Sequence, residues 1–261
     1  MNNRAQLVDA LDLSLFGQIP SQTSTGDRRS LLAVQRAVAR KHGEYTYLEI
    51  GSHLGGSLQP HLADDRCKRI YSLDPRPQQQ PDERSAGFVV YYPENSTKKM
   101  LELLSSTGYG DVAKIECFDL DASMVDPGRI TQRPRIAFID GEHTRAAVIS
   151  DFRFCMRVLS SDGAALFHDF SIIYPALREI FAELDNQNRT YLPVKLDGEV
   201  FAIFFDPDLP PSDPFLSFML GRHKYFWATY GTSVWLRKWL PAPVVTLLRS
   251  AWRRFRTPLP E

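Results

Sequence analysis

The chain has 261 residues and no net formal charge, 31 Lys and Arg balancing 31 Asp and Glu, with 43% hydrophobic and 24% charged residues. That is the composition of a soluble globular protein, which excludes a disordered or collagen-like chain; at roughly 100–200 residues per domain it makes one large domain or two small ones. Charge is segregated along it, because residues 221–261 hold eight Lys and Arg against Glu261 alone, a charge of +7 that leaves −7 on residues 1–220.

In chain order, the first residues carry Asp9 and Asp12 where a signal peptide needs an unbroken apolar core. The longest uncharged apolar stretches, 225–236 and 239–248, fall short of the roughly 20 residues that span a bilayer. Cys67, Cys117 and Cys155 are widely spaced, so neither a disulfide framework nor a CxxC metal site is readable. A cytoplasmic protein is expected. Two helical patterns come next, 5–16 and 28–42, the second with Leu31, Leu32, Val34 and Val38 on its apolar side and Gly43 as its stop. They predict cover helices within a segment 1–44.

From residue 45 the pattern changes to short apolar runs, 46–50, 69–73, 113–118, 136–139 and 164–167, alternating with helical candidates at 55–63, 96–106, 122–124 and 144–159. Repeated strand, crossover helix, strand predicts a Rossmann-like, doubly wound α/β sheet, mostly parallel, over residues 45–206. The polar run 75–82 reads as a surface loop. Runs 193–196 and 200–205 flank Asp197-Gly198, a two-residue link suited to a type I′ turn, so the terminal hairpin strand should run antiparallel to its predecessor. Residues 207–261 form a proline-rich exit and a basic, aromatic helical tail that holds all four tryptophans, Trp227, Trp235, Trp239 and Trp252.

Glycines 51, 55 and 56 stand where the first apolar run, YLEI, turns into a helical segment. In open α/β sheets the ligand crevice lies outside the carboxyl ends of the strands, and glycine lets backbone approach a ligand closely. A dinucleotide fingerprint aligned on Gly51 and Gly56 needs its middle glycine at 53, where this chain has His53. Glu49 adds a negative charge that repels a pyrophosphate and welcomes an ammonium. Asp74 ends the run IYSLD, 23 residues beyond Gly51, near the offset of about 20 at which an acid accepts ribose hydroxyls. An adenosine carrying an amino acid fits both carboxylates, which describes S-adenosylmethionine.

The successive motifs EIGSHLGGS, SLDPRP, IAFIDGEHT and GAALFHDF resemble those of class I S-adenosylmethionine-dependent methyltransferases, and most nearly the small-molecule O-methyltransferase branch that includes the macrocin type. The resemblance covers about residues 45–206. It implies that Glu49 holds the methionine amino group, that Gly51, Ser52 and Gly55 lie against the methionine and ribose, and that Asp74 takes the ribose hydroxyls. At the third strand's exit, Asp119, Asp121 and Ala122 are alternatives near the adenine.

Asp140-Gly-Glu-His143 follows IAFI and His168-Asp169 follows ALF, so both groups emerge on the rim expected for the cofactor, Asp140 beside it. Methyl transfer to oxygen requires donor and acceptor in line and a more nucleophilic hydroxyl. Either His143 or His168 takes the proton, or Asp140 and Asp169 hold Mg²⁺, a cation that favours oxygen ligands; a third ligand would be Glu142, a histidine or substrate. Thr144 reads as the N-cap of the following helix, on whose polar side Asp151 is a solvated residue.

The expected partner is a small molecule bearing the acceptor hydroxyl. The tail suits a peripheral membrane contact, with rings at headgroup depth, and equally a substrate lid or a homo-oligomer contact. Nucleic acid is disfavoured by the −7 body. Two rival functions share the sheet: an NAD(P)-dependent oxidoreductase, against which His53 speaks, and a binding protein that keeps the cofactor pocket without turnover.

Overall fold

The computed structural model describes residues 3–84 and 87–223. Met1–Leu220 form one compact unit, and Gly221–Glu261 a second that falls almost wholly outside the described residues, together with the four tryptophans and every expectation placed on the tail. Among the described residues no helix is long and apolar enough to cross a membrane.

Nine strands are described. Seven make one sheet: β1 (Tyr45–Ile50), β2 (Cys67–Leu73), β5 (Ile115–Phe118), β6 (Ile136–Ile139), β7 (Ala164–Phe167), β8 (Leu192–Lys195) and β9 (Phe201–Phe204), in the order β5-β2-β1-β6-β7-β9-β8. All neighbours through β7 pair in parallel, and β9 is antiparallel to both β7 and β8. The doubly wound α/β class is therefore the one expected. Every residue of β1, β6, β7 and β9 is buried, as strands covered on both faces must be. That is why they stand out as continuous apolar runs. The chain winds from β1 towards β2 and β5, then returns to β6 on the other side, so strand order reverses between β1 and β6. Crevices of open sheets form at this reversal.

The helices are α1 (Asn3–Asp9), α2 (Thr25–His42), α3 (Gln59–Ala63), α4 (Thr97–Ser106), α5 (Arg145–Val158) and α6 (Phe170–Asn186). Ser24 caps α2 through a reciprocal capping box with Asp27, and Gly43, at φ 75°, ends it. Thr144 caps α5 by accepting the Ala147 amide, as its position predicts.

Several expectations need correction. The single helix predicted over 5–16 breaks at Leu11, φ 55°, into α1 and a 3-10 turn, Leu13–Phe16. The helix predicted over 55–63 starts only at Gln59, because Gly55 sits at φ 82°. Residues 122–124 make one 3-10 turn, and another precedes β5, so the strand predicted from 113 begins at Ile115. The loop 75–82 contains β3 (Gln79–Pro81), which pairs antiparallel with β4 (Val89–Tyr91) in a separate two-stranded sheet. The last hairpin closes at Leu196 N–H to Val200 C=O, 3.1 Å, so its loop has three residues rather than the two of a type I′ turn. Asp151 is buried at 9% exposure, not solvated. Helix α6 fills a stretch to which the sequence analysis assigns no element.

Candidate functional site

The bend after β1 rests directly on the residues that follow β6. Gly51 N–H donates to Leu73 C=O at 2.8 Å and Asp140 N–H to Ile50 C=O at 2.9 Å, which locks the three strand ends together. Gly51 has φ 87°, and a Cβ there would stand 2.3 Å from Asp140 C=O and 2.7 Å from Gly141 Cα. Only glycine allows this approach.

Behind the bend, Glu49 is wholly buried. Tyr47 Oη donates to its Oε2 at 2.6 Å and Ser57 Oγ to its Oε1 at 2.5 Å. Burial pushes the carboxyl up to about 8, against the lowering effect of these two hydrogen bonds. Glu49 thus braces the bend from inside. Ser52 Oγ accepts from Ser72 Oγ at 2.9 Å, and Gly55 N–H donates to Ser52 C=O at 2.7 Å. His53, at φ 44°, projects a ring whose Nε2 is buried without a hydrogen-bond partner and which meets Tyr92 edge-on, centroids 5.2 Å apart.

Asp74 lies beside the same bend. Its Oδ2 accepts the His53 amide at 2.9 Å and its Oδ1 the Arg76 amide at 2.8 Å. The Arg76 guanidinium folds back over it, donating to His53 C=O at 2.7 Å and Ser72 Oγ at 3.1 Å and lying 3.3 Å from Asp74 Oδ2. Of the alternatives at the third strand's exit, Asp119 joins this group, 3.5 Å from Arg76 Nε; Ala122 is buried, and Asp121 starts the 3-10 turn without a side-chain capping bond.

The second half of the site stands at the ends of β6 and β7. His143 Nε2 lies 3.2 Å from Asp169 Oδ2 and 3.6 Å from Asp140 Oδ1. His168 Nδ1 lies 3.2 Å from Asp140 Oδ1 and 3.5 Å from Asp169 Oδ2. So the two carboxylates and two imidazoles named from the sequence converge. Glu142 turns away to accept from Thr144 Oγ1 at 2.7 Å. Asp169 begins α6 in the left-handed region, φ 51°, with no capping bond from its side chain, and this unusual backbone aims its carboxylate into the cluster.

Two further carboxylates complete the arrangement and escape sequence reasoning. Asp82, at the end of β3, stands 3.1 Å from His143 Nδ1 and Asp27, in the first turn of α2, 3.3 Å from His168 Nε2. Asp27 is legible only as a helix cap, and Asp82 only as part of a polar loop. Burial works against ionising Asp82, yet Arg84 and then His143 hold it down to about 2. Asp140 is likewise lowered despite burial, by His168 and His143, and both imidazoles are raised despite theirs, chiefly by Asp140. Burial, and behind it the charges of Asp140, Asp169, Asp82 and Asp74, pushes the Tyr92 phenol up to about 12, so it stays protonated between bend and cluster.

Residues 48–170 match a family model described as a methyltransferase domain. An uncharacterized protein, R132, of Acanthamoeba polyphaga mimivirus is 26% identical over 165 residues, which are 59% of this chain and 66% of that protein, a little under two thirds of its length. Among solved structures, the O-methyltransferase NovP superposes with a TM-score of 0.56 at 12% identity, covering 77% of this chain and 98% of that one. The calicheamicin methyltransferase CalS11 superposes with a TM-score of 0.50 at 12% identity, covering 78% and 93%. These likenesses establish the fold.

Proposed function

From a chain that carries a methyltransferase domain over residues 48–170, we propose an S-adenosylmethionine-dependent enzyme that methylates a hydroxyl group of a small molecule. One observation carries the reading: the bend at Gly51 packs against the backbone of Asp140 and Gly141, so a cofactor seated on the bend shares a wall with the acid and imidazole cluster. A sulfonium methyl and an acceptor oxygen are thereby brought to one place, which is the larger part of what such a displacement needs.

In this reading Asp74 takes the ribose hydroxyls with oxygen lone pairs left over from the His53 and Arg76 amides, Asp119 flanks the adenine side, and Gly51, Ser52 and Gly55 line the amino-acid end. Glu49, its oxygens engaged by Tyr47 and Ser57, holds the shape of the seat and sets a polar group beneath the ammonium. The carbon–oxygen bond forms as the carbon–sulfur bond breaks, the hydroxyl proton passes to the carboxylate and imidazole network, and S-adenosylhomocysteine leaves. His143 and His168 lie between carboxylates on both sides, which makes them proton-holding groups rather than free bases.

A divalent cation fits the cluster. Asp140, His143 and Asp169 each offer a ligand atom within 4.8 Å of the others, and His143 Nε2 is buried with no hydrogen-bond partner. Such a cation polarises a hydroxyl and lowers its pKa.

Calorimetry tests the cofactor assignment: S-adenosylhomocysteine should bind the intact chain and NAD should not. Asp74→Asn should weaken that binding at least about tenfold, each lost charge-assisted hydrogen bond being worth about 1.5–3 kcal/mol. Unchanged affinity in the variant, or binding of NAD in place of S-adenosylhomocysteine, would overturn it. A hydroxyl-bearing substrate panel that yields only nitrogen- or carbon-methylated products would remove the acceptor assignment.

A further inference from the structure

We propose that the cluster at the ends of β6 and β7 is a mixed nitrogen and oxygen centre for a first-row transition metal, with Asp140, Asp169, His143 and His168 as ligands, and not a site for Mg²⁺. This rests on the reading above that a divalent cation sits there, and deepens it by naming the ligands and the class of ion.

Donor chemistry decides the class. Mg²⁺ takes oxygen and keeps much of its water, whereas imidazole nitrogen suits zinc, iron, cobalt and nickel. Here two of the four converging donors are imidazole nitrogens. The separations agree: bonds of about 2.0–2.2 Å place neighbouring donors roughly 3.0–3.5 Å apart around one ion. The four nitrogen to oxygen distances across the cluster run from 3.2 to 3.6 Å. An ordinary charge-assisted hydrogen bond is shorter, about 2.7–2.9 Å. His143, only 9% exposed, points Nε2 between the two carboxylates, and this nitrogen makes no hydrogen bond. A buried nitrogen without a partner is costly unless something else occupies its lone pair.

The outer carboxylates supply a second, independent observation. An imidazole that ligates a metal through one nitrogen characteristically gives its other nitrogen to a carboxylate, which fixes tautomer and ring orientation. His143 faces Asp82 with Nδ1 at 3.1 Å, and His168 faces Asp27 with Nε2 at 3.3 Å. Both carboxylates are buried, and each is fixed by its own hydrogen bonds. The Arg84 amide and guanidinium hold Asp82, while the Ser24 and Glu199 amides, both at 2.6 Å, hold Asp27. A hydroxyl-polarising Mg²⁺ cluster needs no such pair. Asp82 and Asp27 are therefore positioning residues. The isolated bridge between residues 82 and 143 also ties the β3–β4 sheet to the centre.

The test uses the full chain, stripped with a chelator and titrated separately with Zn²⁺, Co²⁺ and Mg²⁺. Expected are stoichiometric Zn²⁺ binding by calorimetry and visible Co²⁺ absorption bands that Zn²⁺ abolishes and a hundredfold excess of Mg²⁺ leaves in place. His143→Asn and His168→Asn, confirmed folded by circular dichroism, should each weaken Zn²⁺ at least tenfold. Asp82→Asn should weaken it roughly 10- to 100-fold and shift the Co²⁺ bands, while S-adenosylhomocysteine still binds. Mg²⁺ displacing Co²⁺ at equal concentration, or unchanged Zn²⁺ affinity in both histidine variants, would overturn the proposed ligands and leave a cation site standing. Binding of none of the three ions, with S-adenosylhomocysteine still bound, would overturn both the centre and the cation reading but not the cofactor assignment.

Discussion

Glu49 carries a carboxyl group that water does not reach. Folding moves it from an ordinary value of 4.5 up to about 8, because burial penalises the charged form more than Ser57 and Tyr47 favour it. The sign follows from proton binding: between these two values the unfolded chain has released its proton and the folded chain still holds it. Stability from this group is therefore complete below about pH 4.5 and lost as pH rises towards 8, by at most about 1.4 kcal/mol per unit. Asp151, pushed up to about 7 by burial beside Asp121 and Glu142, acts in the same direction over a lower window. Glu49→Gln keeps an acceptor for both hydroxyls and removes the titration, so the difference between wild type and variant in urea midpoint should grow from pH 5 to pH 8 in the variant's favour. A constant difference would place the ionised form in the native state. Glu49→Ala should instead cost about 1–3 kcal/mol at every pH, since it strands the buried Tyr47 and Ser57 hydroxyls.

The elements that position the site differ in how plainly the sequence announces them. Strands β1, β6 and β7 are apolar throughout because helices cover both faces, and the acids and histidines that follow them are conspicuous by contrast. Glu49, Gly51, Asp74, Asp140 and Asp169 were legible for that reason. The β3–β4 hairpin was not, since its exposed residues and Pro81 alternate with nothing, and neither was the pairing of Asp82 with His143 across 61 residues of chain. The start of α6 escaped because Asp169 takes a left-handed conformation that breaks the usual helix-start pattern. Gly198, at φ 63°, shows a similar long-range dependence, for a Cβ there would collide with Asp27 Oδ1. Gly51 is the sharper test of an element junction. Replacing it by Ala forces a strained φ of 87° or pushes Asp140 C=O away, at a cost of order 1–3 kcal/mol. The melting midpoint should drop, and S-adenosylhomocysteine binding should be lost at temperatures where circular dichroism is still native. Retained binding would show that the close approach of bend and cluster is dispensable.

At the scale of the whole described unit, α2 crosses from the site to the opposite side and ties segments far apart in sequence. Asp27 in its first turn accepts the Glu199 amide and faces His168, and Ser30 Oγ donates to Asp197 C=O at 3.1 Å. Gln35 Nε2 reaches Pro60 C=O and Asp64 Oδ2, at 3.1 and 3.2 Å. Arg36 forms a two-pronged ion pair with Asp213, 2.7 and 2.8 Å, and also donates to Asp9 C=O at 3.0 Å. The predicted cover helix is thus a structural beam whose first turn belongs to the site and whose middle anchors both ends of the unit. Asp213 is 2% exposed, so Asp213→Ala leaves a buried guanidinium without its counter-charge and the Phe215 and Leu216 amides without an acceptor. A loss of about 3–5 kcal/mol is expected in urea unfolding. Arg36→Met combined with Asp213→Leu should recover much of it, because that pair removes both desolvated charges together. Since the pair lies nine residues along α2 from Asp27, two and a half turns at about 1.5 Å rise per residue, neither variant should alter S-adenosylhomocysteine affinity under native conditions. A single substitution costing less than about 1 kcal/mol would mean that the unit is held by its sheet alone, with α2 serving only to deliver Asp27.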